Sequence, residues 1–432
     1  MPDASSSAAS GRPALRPFTG ASVALLSRLG VRLLGLAFLV LLAHRQSTRA
    51  FASYAYLLIL ASTVSVITDA GAGLVANREV AAGHLDLATA YRAAAPIQLV
   101  TSVLAGLGVA LAGTLLPGPV LSHWAVLWTA LFIFLNGLFD GQTELLRGAG
   151  RPWLEAALQL AVAGAQLALG LAVVLGGDGL AALMAVLAIK QLLAVGLAQL
   201  WLPTPWGGGG AGLWRSFLRR GLWLGAATTL GVIAGRAAQL ALGNLGSPNQ
   251  VAQFAVASRY LELATMICGT AAFGLLPSMA QRARRAGEGR RSFLGRLLAF
   301  TLLVSVALAL LLTPLVPWLT VTVFGSRYRG AVPASQLFVV FLPVIALTNI
   351  AWYALVAERR ERLVALASLA GALVAAAAIV WIVLDPTPTT AAGATLAGLG
   401  TSAVIALGFI ARRQRWLSRS ERAGVSPELA RD

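Results

Sequence analysis

Charge is what this chain has least of. Asp, Glu, Lys and Arg make up 11% of its 432 residues, whereas water-soluble domains carry about a quarter. That scarcity excludes an ordinary soluble surface. With 58% hydrophobic residues and a mean hydropathy of +0.79, the composition is that of an integral membrane protein. Cysteine is reduced to Cys268, which excludes an intramolecular disulfide, a thiolate zinc cluster and CxxC redox chemistry. His44, His84 and His123 lie far apart beside the ends of apolar runs, so no metal site is expected. Walker A, HExxH and GxSxG in its strand–turn–helix setting are all missing, and neither an enzyme nor a cofactor is expected. "GGGGAG" over 207–212 lacks the Lys-Ser/Thr of a phosphate loop and reads as a linker.

What is present is a series of apolar runs of roughly 20 residues, the length a helix needs to cross an approximately 30 Å hydrocarbon core. Twelve are predicted: 20–43, 50–75, 92–116, 122–143, 153–176, 179–202, 219–243, 251–277, 293–316, 333–356, 363–384 and 390–411. They are too long, and too little alternating, for strands of a membrane barrel. The polar stretch 1–17 reads as a disordered tail. Two arginines interrupt the first long run, which therefore reads as a retained helix and not as a cleaved leader.

All but one of the 33 basic residues are arginine, the exception being Lys190. They alternate between loops as the positive-inside rule requires. Arg12, Arg16, Arg78, Arg92, Arg147, Arg151, the 215–220 and 282–296 clusters, Arg359, Arg360, Arg362 and the tail from Arg412 fall on one side. Only Arg45, Arg49, Arg327 and Arg329 fall on the other. Both termini are therefore placed in the cytoplasm, and the net charge of +17 becomes a topology signal without a nucleic-acid partner.

The Gly- and Pro-rich stretch "WLPTPWGGGGAGLWRSF" (201–217) divides the spans six and six. The expected organisation is a tail (1–17), an N-lobe (18–203), a linker (204–218), a C-lobe (219–411) and a basic tail (412–432). At an offset of about 204 residues Arg32 falls on Arg236, and "FASYAYL" falls near "FAVASRYLEL", suggesting a duplicated lobe. An even number of spans per lobe makes the repeats parallel, about an axis along the membrane normal.

Five cations remain inside spans: Arg28, Arg32, Lys190, Arg236 and Arg259. Each costs about 2.5–3.5 kcal/mol at a helix centre on insertion scales, so such residues normally face a bundle interior or a wet cavity. Arg28 and Arg32 share one helix face. Arg28 can equally snorkel to the headgroups, and Arg259 can equally pair with Glu262. Intramembrane acids are few, Asp69 and Glu262 being the clearest. The interior is net positive, and guanidinium forks in low dielectric suit phosphate oxygens.

The segments "RLGVRLLGLAFLVLLA" and "FASYAYLLILASTVSVITDAGAGLVANREVA", with "GAGRP", "FGSRY" and "AAGATLAG" further on, are similar to patterns of the polysaccharide flippases in the multidrug/oligosaccharidyl-lipid/polysaccharide (MOP) exporter superfamily. The Asp-x-Gly turn leading to Arg-Glu in "DAGAGLVANREVA" is the most specific part. The resemblance implies an all-α membrane protein of about twelve helices, with two six-helix lobes in a V around a central cavity. It also implies alternating access in the bacterial inner membrane, carrying a polyprenyl-diphosphate-linked oligosaccharide to the outer leaflet for O-antigen, lipopolysaccharide or exopolysaccharide synthesis. Polysaccharide polymerase and glycosyltransferases would be partners. Arg28 or Arg32 and Arg259 match helices whose arginines are thought to meet the diphosphate in related lipid II flippases. The second helix has no arginine here, only Asp69. Coupling to H+ or Na+ through Asp69 or Glu262 is the remaining role for those acids, and a cation-coupled drug antiporter of the same superfamily is the alternative function.

Overall fold

A computed structural model of the chain describes residues 16–115, 122–205, 212–284, 288–358 and 360–422, and these are helical throughout without a strand. The first half contains α1 (Arg16–Arg45), α2 (Thr48–Thr68), α3 (Ala72–Ala81), α4 (Leu87–Leu115), α5 (His123–Gly148), α6 (Pro152–Gly176) and α7 (Leu180–Gln199). The second contains α8 (Trp214–Leu245), α9 (Pro248–Arg284), α10 (Glu288–Leu312), α11 (Val316–Phe324), α12 (Val332–Val340), α13 (Leu342–Ala357), α14 (Glu361–Ala377), α15 (Ile379–Leu384) and α16 (Pro388–Arg422). Most of the 1–17 tail, the glycine run 206–211, residues 285–287, Arg359 and the end of the basic tail (423–432) lie outside the described residues, as does the Arg28 side chain.

Among the described residues, eight helices are long and apolar enough to cross a membrane, nine when α12 and α13 count as one bent span. The three other long helices, α1, α8 and α9, are the ones that carry Arg32, Arg236 and Arg259. Together these make twelve passes, close to the expected boundaries. Where a span is broken, the residues explain it. The second span breaks after Thr68, where Ala70 and Gly71 take positive φ (45° and 75°) and the Asp69 Oδ1 accepts the Gly73 amide at 2.8 Å, starting α3 afresh. In the tenth, α12 and α13 meet at 46°, because Pro343 carries no amide to continue the helix across Phe341. At the other extreme α16 runs on to Arg422, beyond the expected span end at 411. Nothing in "ARRQRWLSRSER" breaks a helix, and arginine and glutamine are good helix formers.

Each half packs as a lobe, and the two lobes pair their helices in the same pattern. In the first, α1 packs on α6, α4 on α5, α5 on α7, α6 on α7 and α2 on α5. In the second, α8 packs on α14, α10 on α13, α13 on α16, α14 on α16 and α9 on α13. Span for span these are the same neighbours, which is the parallel pseudo-repeat. The lobes meet where α2 and α3 face α8 and α9. With twelve passes, the start of α1 at Arg16 and the end of α16 at Arg422 fall at one end of the bundle, here called the terminal end. At the opposite, far end an apolar cluster joins the lobes, with Phe38, Phe51 and Tyr54 packed among Phe254, Tyr328 and Phe338. Separate clusters fill the first lobe around Leu145 and Leu146, taking in Phe217 of α8, and the second around Ile350 and Val364. Leucines such as Leu104, Leu303 and Leu310 point outward, more than 60% exposed, as lipid-facing residues do.

Candidate functional site

The seam between the lobes has three levels. At the far end it is aromatic and hydrogen-bonded. Phe51 meets Tyr328 edge-on with ring centroids 5.4 Å apart, Asn244 Nδ2 donates to the Tyr56 hydroxyl at 3.1 Å, and Arg327 Nη1 donates to the Gln46 carbonyl at 3.1 Å. A side chain on Gly243 would run into the Tyr56 ring.

At the terminal end backbone meets backbone. The Ala70–Gly71 turn lies on Gly221 and Gly225 of α8, so close that a Cβ on Gly225 would sit 2.7 Å from the Ala70 carbonyl carbon. Gly71 itself needs both its positive φ and its missing side chain, because a Cβ there would strike the Gly221 carbonyl. Small residues one turn apart permit this approach. Ion pairs flank it, Arg220 with Glu79 at 3.1 Å and Arg78 with Glu361 at 3.2 Å, both across the lobes.

Between these ends, at mid-depth, lie most of the intramembrane cations. Glu262 on α9 is the hub. Its Oε2 is 2.7 Å from Arg259 Nη1 on the same helix and 3.6 Å from Arg32 Nη1 on α1 of the other lobe. Arg236 on α8, within electrostatic reach of Arg32, Arg259 and Glu262, donates through Nη1 to Ser62 Oγ on α2 at 2.6 Å. Helices equivalent under the repeat, the first and the seventh spans, thus each send an arginine into this region, Arg32 to Glu262 and Arg236 to Ser62. Among the described side chains, three cations lie around a single anion here, a net of two positive charges. Arg32 keeps 51% of its side chain exposed while Arg259 keeps 16%, so the open cation belongs to the first lobe and the tethered one to the second.

The other candidate residues go elsewhere. Lys190 on α7 donates to Gln166 Oε1 on α6 at 2.6 Å and lies 5.7 Å from the Phe132 ring centroid, so these partners all belong to its own lobe. Asp69 caps α3 and accepts also from Gln98 Nε2 at 3.2 Å. Nearby, Asn136 Nδ2 donates to Asp140 at 2.8 Å, Asn77 Nδ2 to Glu144 at 2.7 Å, and Arg147 binds both Glu144 and Glu155. Among the described residues no group of His, Cys, Asp and Glu could hold a metal ion. Sequence reading did not single out Ser62, Tyr56 or Asn244. A lone hydroxyl or amide in an apolar helix resembles ordinary interhelical bonding, and only Ser62's distance from Arg236 distinguishes it.

In fold the molecule is all-α, with two six-helix lobes related by a parallel pseudo-repeat, an architecture similar to that of solved MOP-superfamily transporters. It superimposes on an inward-facing multidrug resistance MATE family transporter of the MOP superfamily with a TM-score of 0.71 at 14% identity, over 92% of this chain and 99% of that one. On the lipid II flippase MurJ in an inward closed conformation the TM-score is 0.68 at 15% identity, over 89% and 86%. A MOP superfamily transporter from Pyrococcus furiosus, described for the reverse polarity of its binding pocket, gives 0.58 at 13% identity, over 93% and 96%. No curated protein matches the sequence. The chain belongs to the polysaccharide biosynthesis protein family, whose model matches residues 18–283, from the first span through the ninth helix.

Proposed function

We propose that the protein is a flippase for lipid-linked oligosaccharide, moving a polyprenyl-diphosphate-linked glycan from the cytoplasmic to the outer leaflet of a bacterial inner membrane by alternating access, for cell-surface polysaccharide of the O-antigen or exopolysaccharide type. One observation carries this reading: three arginines from both lobes converge at mid-depth with one carboxylate among them. A net-positive site in low dielectric selects an anion, and forked guanidinium donors suit phosphate oxygens. Because the cations come from both lobes, a bridging diphosphate interacts differently with each lobe arrangement, which is the requirement for a ligand to shift that equilibrium. The arginine-rich terminal end is the cytoplasmic one by the positive-inside rule, with both termini there.

Arg32, Arg236 and Arg259 are the diphosphate-binding residues in this reading. Lys190, held by Gln166 within the first lobe, contributes positive potential from one side, and Arg28 lies one turn before Arg32 on α1. The drug-antiporter alternative calls for carboxylates that receive a cationic drug. Of the acids at depth, Glu262 is already shared by two arginines, and Asp69 and Glu144 are engaged by Gln98, Asn77 and Arg147.

The test is a deletion strain of the source organism, assayed for the leaflet in which lipid-linked oligosaccharide accumulates. Cytoplasmic accumulation relieved by wild type, but not by Arg32→Ala or Arg236→Ala at equal expression, supports the flippase. No accumulation, with new sensitivity to cationic dyes, overturns it in favour of the antiporter.

A further inference from the structure

We propose that Glu262 is a built-in competitor for the transported headgroup, a carboxylate that holds Arg32 and Arg259 in the empty protein and must be displaced by the substrate diphosphate. The inference rests on the flippase reading and deepens it by assigning a specificity and release role to a residue that does not bind the substrate.

A glutamate in a cationic site is otherwise hard to justify, because it subtracts from the attraction the site exists to provide. Its geometry is that of a ligand. Oε2 sits between two guanidinium groups on different helices and different lobes, at 2.7 and 3.6 Å, a place that a phosphate oxygen would take. The pair on α9 is local and tight. The bond to Arg32 crosses the seam, is longer, and involves a half-exposed side chain, so it is the weaker one and the first to yield.

Two consequences follow. The first concerns charge. With Glu262 the cluster carries two net positive charges, and a diphosphate joined at both ends to organic groups carries one negative charge on each phosphorus. The match is close; a phosphate monoester carries a similar charge but concentrates it on one phosphorus, whereas the diphosphate spreads it over two sets of oxygens. The second concerns release. A carboxylate three positions from Arg259 is always available to retake the arginine as the diphosphate leaves, which keeps a strongly attractive site from becoming a trap. Displacing Glu262 also removes one of the cross-lobe ties at mid-depth, so binding loosens the closed seam while the phosphate builds its own bridge.

The experiment uses the purified full chain in lipid nanodiscs, with a polyprenyl-diphosphate-linked monosaccharide and a polyprenyl monophosphate as probes, measuring affinity and dissociation rate. Glu262→Gln is expected to bind the diphosphate probe at least about tenfold tighter, to release it correspondingly more slowly and to transport it more slowly in vesicles. The preference for diphosphate over monophosphate is expected to narrow. Glu262→Asp, which keeps the charge but withdraws it from Arg32 by one bond, gives an intermediate gain and serves if the Gln variant does not fold. Adding Arg32→Ala to Glu262→Gln abolishes the gain. Wild-type binding that depends on Arg32, with both Glu262 variants unchanged or weaker, overturns the competitor role and leaves the flippase reading standing. No saturable binding of the diphosphate probe by wild type overturns both.

Discussion

Two charge clusters contrast within the bundle. In the first lobe, near the terminal end, Arg147 holds Glu144 and Glu155, Asn77 donates to Glu144 and Gln159 to Glu155. Every member comes from one lobe, and acids outnumber the arginine. At the seam, Arg32 and Arg259 share Glu262 with Arg236 within electrostatic reach, the members come from both lobes, and cations outnumber the acid. Glu155 keeps 7% of its side chain exposed, Arg32 51%. The difference separates charge that holds helices together from charge left unbalanced for a visitor. A buried carboxylate without its cation is costly, so the first group is closed. An arginine cluster with excess charge at mid-membrane persists only where an anion or water can reach it.

Mutations can break or sharpen this contrast. The largest effect expected is on stability, from Arg147→Ala, which strands Glu155 and Glu144 and costs about 3 kcal/mol, read as a lowered thermal unfolding temperature. Removing the charges together, as Arg147→Met with Glu155→Leu, should recover more than half of that loss. Binding affinity at the seam should barely move in the protein that remains folded. A loss of affinity without a loss of stability would erase the distinction.

Next comes Gly71→Ala. A side chain at positive φ costs about 1–2 kcal/mol, and this one also meets the Gly221 carbonyl, so the terminal end of the seam should part. With Cys268 replaced by serine, cysteines introduced at Arg78 and Glu361, whose side chains pair across the lobes, should cross-link less in the Gly71→Ala background. Undiminished cross-linking would show that the turn does not hold the lobes.

Arg32→Ala inverts the Arg147 result. Its pair with Glu262 is half exposed, so stability should change by less than about 1 kcal/mol, while affinity for the diphosphate probe falls about tenfold or more, equivalent to at least about 1.4 kcal/mol. Equal losses in both would make Arg32 a structural residue like Arg147. Smallest is Arg78→Ala, which removes one exposed pair at the terminal end and should favour the parted seam by about 0.2–1 kcal/mol. Rising salt should shrink the difference between this variant and wild type when the reporter cysteines stand instead at Glu79 and Arg220, the other pair across the lobes.

Much of the architecture was legible in the residues. Runs such as 153–176 and 179–202 became α6 and α7 almost to the residue, since apolar length matched to the bilayer leaves helix as the available answer. The turn at Asp69–Gly71 was legible as a motif, whereas its landing site on Gly221 and Gly225 was not. The offset that laid Arg32 on Arg236 matched the first span with the seventh, and the two residues do sit on the equivalent helices α1 and α8. For Lys190 composition gave no hint that a glutamine two dozen residues earlier would take its charge into the first lobe.

The sequence by itself determined the solvent, the passes and the cost of each intramembrane charge, because these depend on length, apolarity and the bilayer, and on no partner. It also determined the local pairing of Arg259 with Glu262, since helix pitch puts positions three apart on one face. Only the tertiary structure decided which cations meet which acid across the lobes. Arg147 and Arg32 are the same residue on helices of the same lobe. What separates them is the helix each is packed against: α6 brings Glu155 of its own lobe to Arg147, whereas the opposing α9 brings Arg32 a carboxylate already held by another arginine.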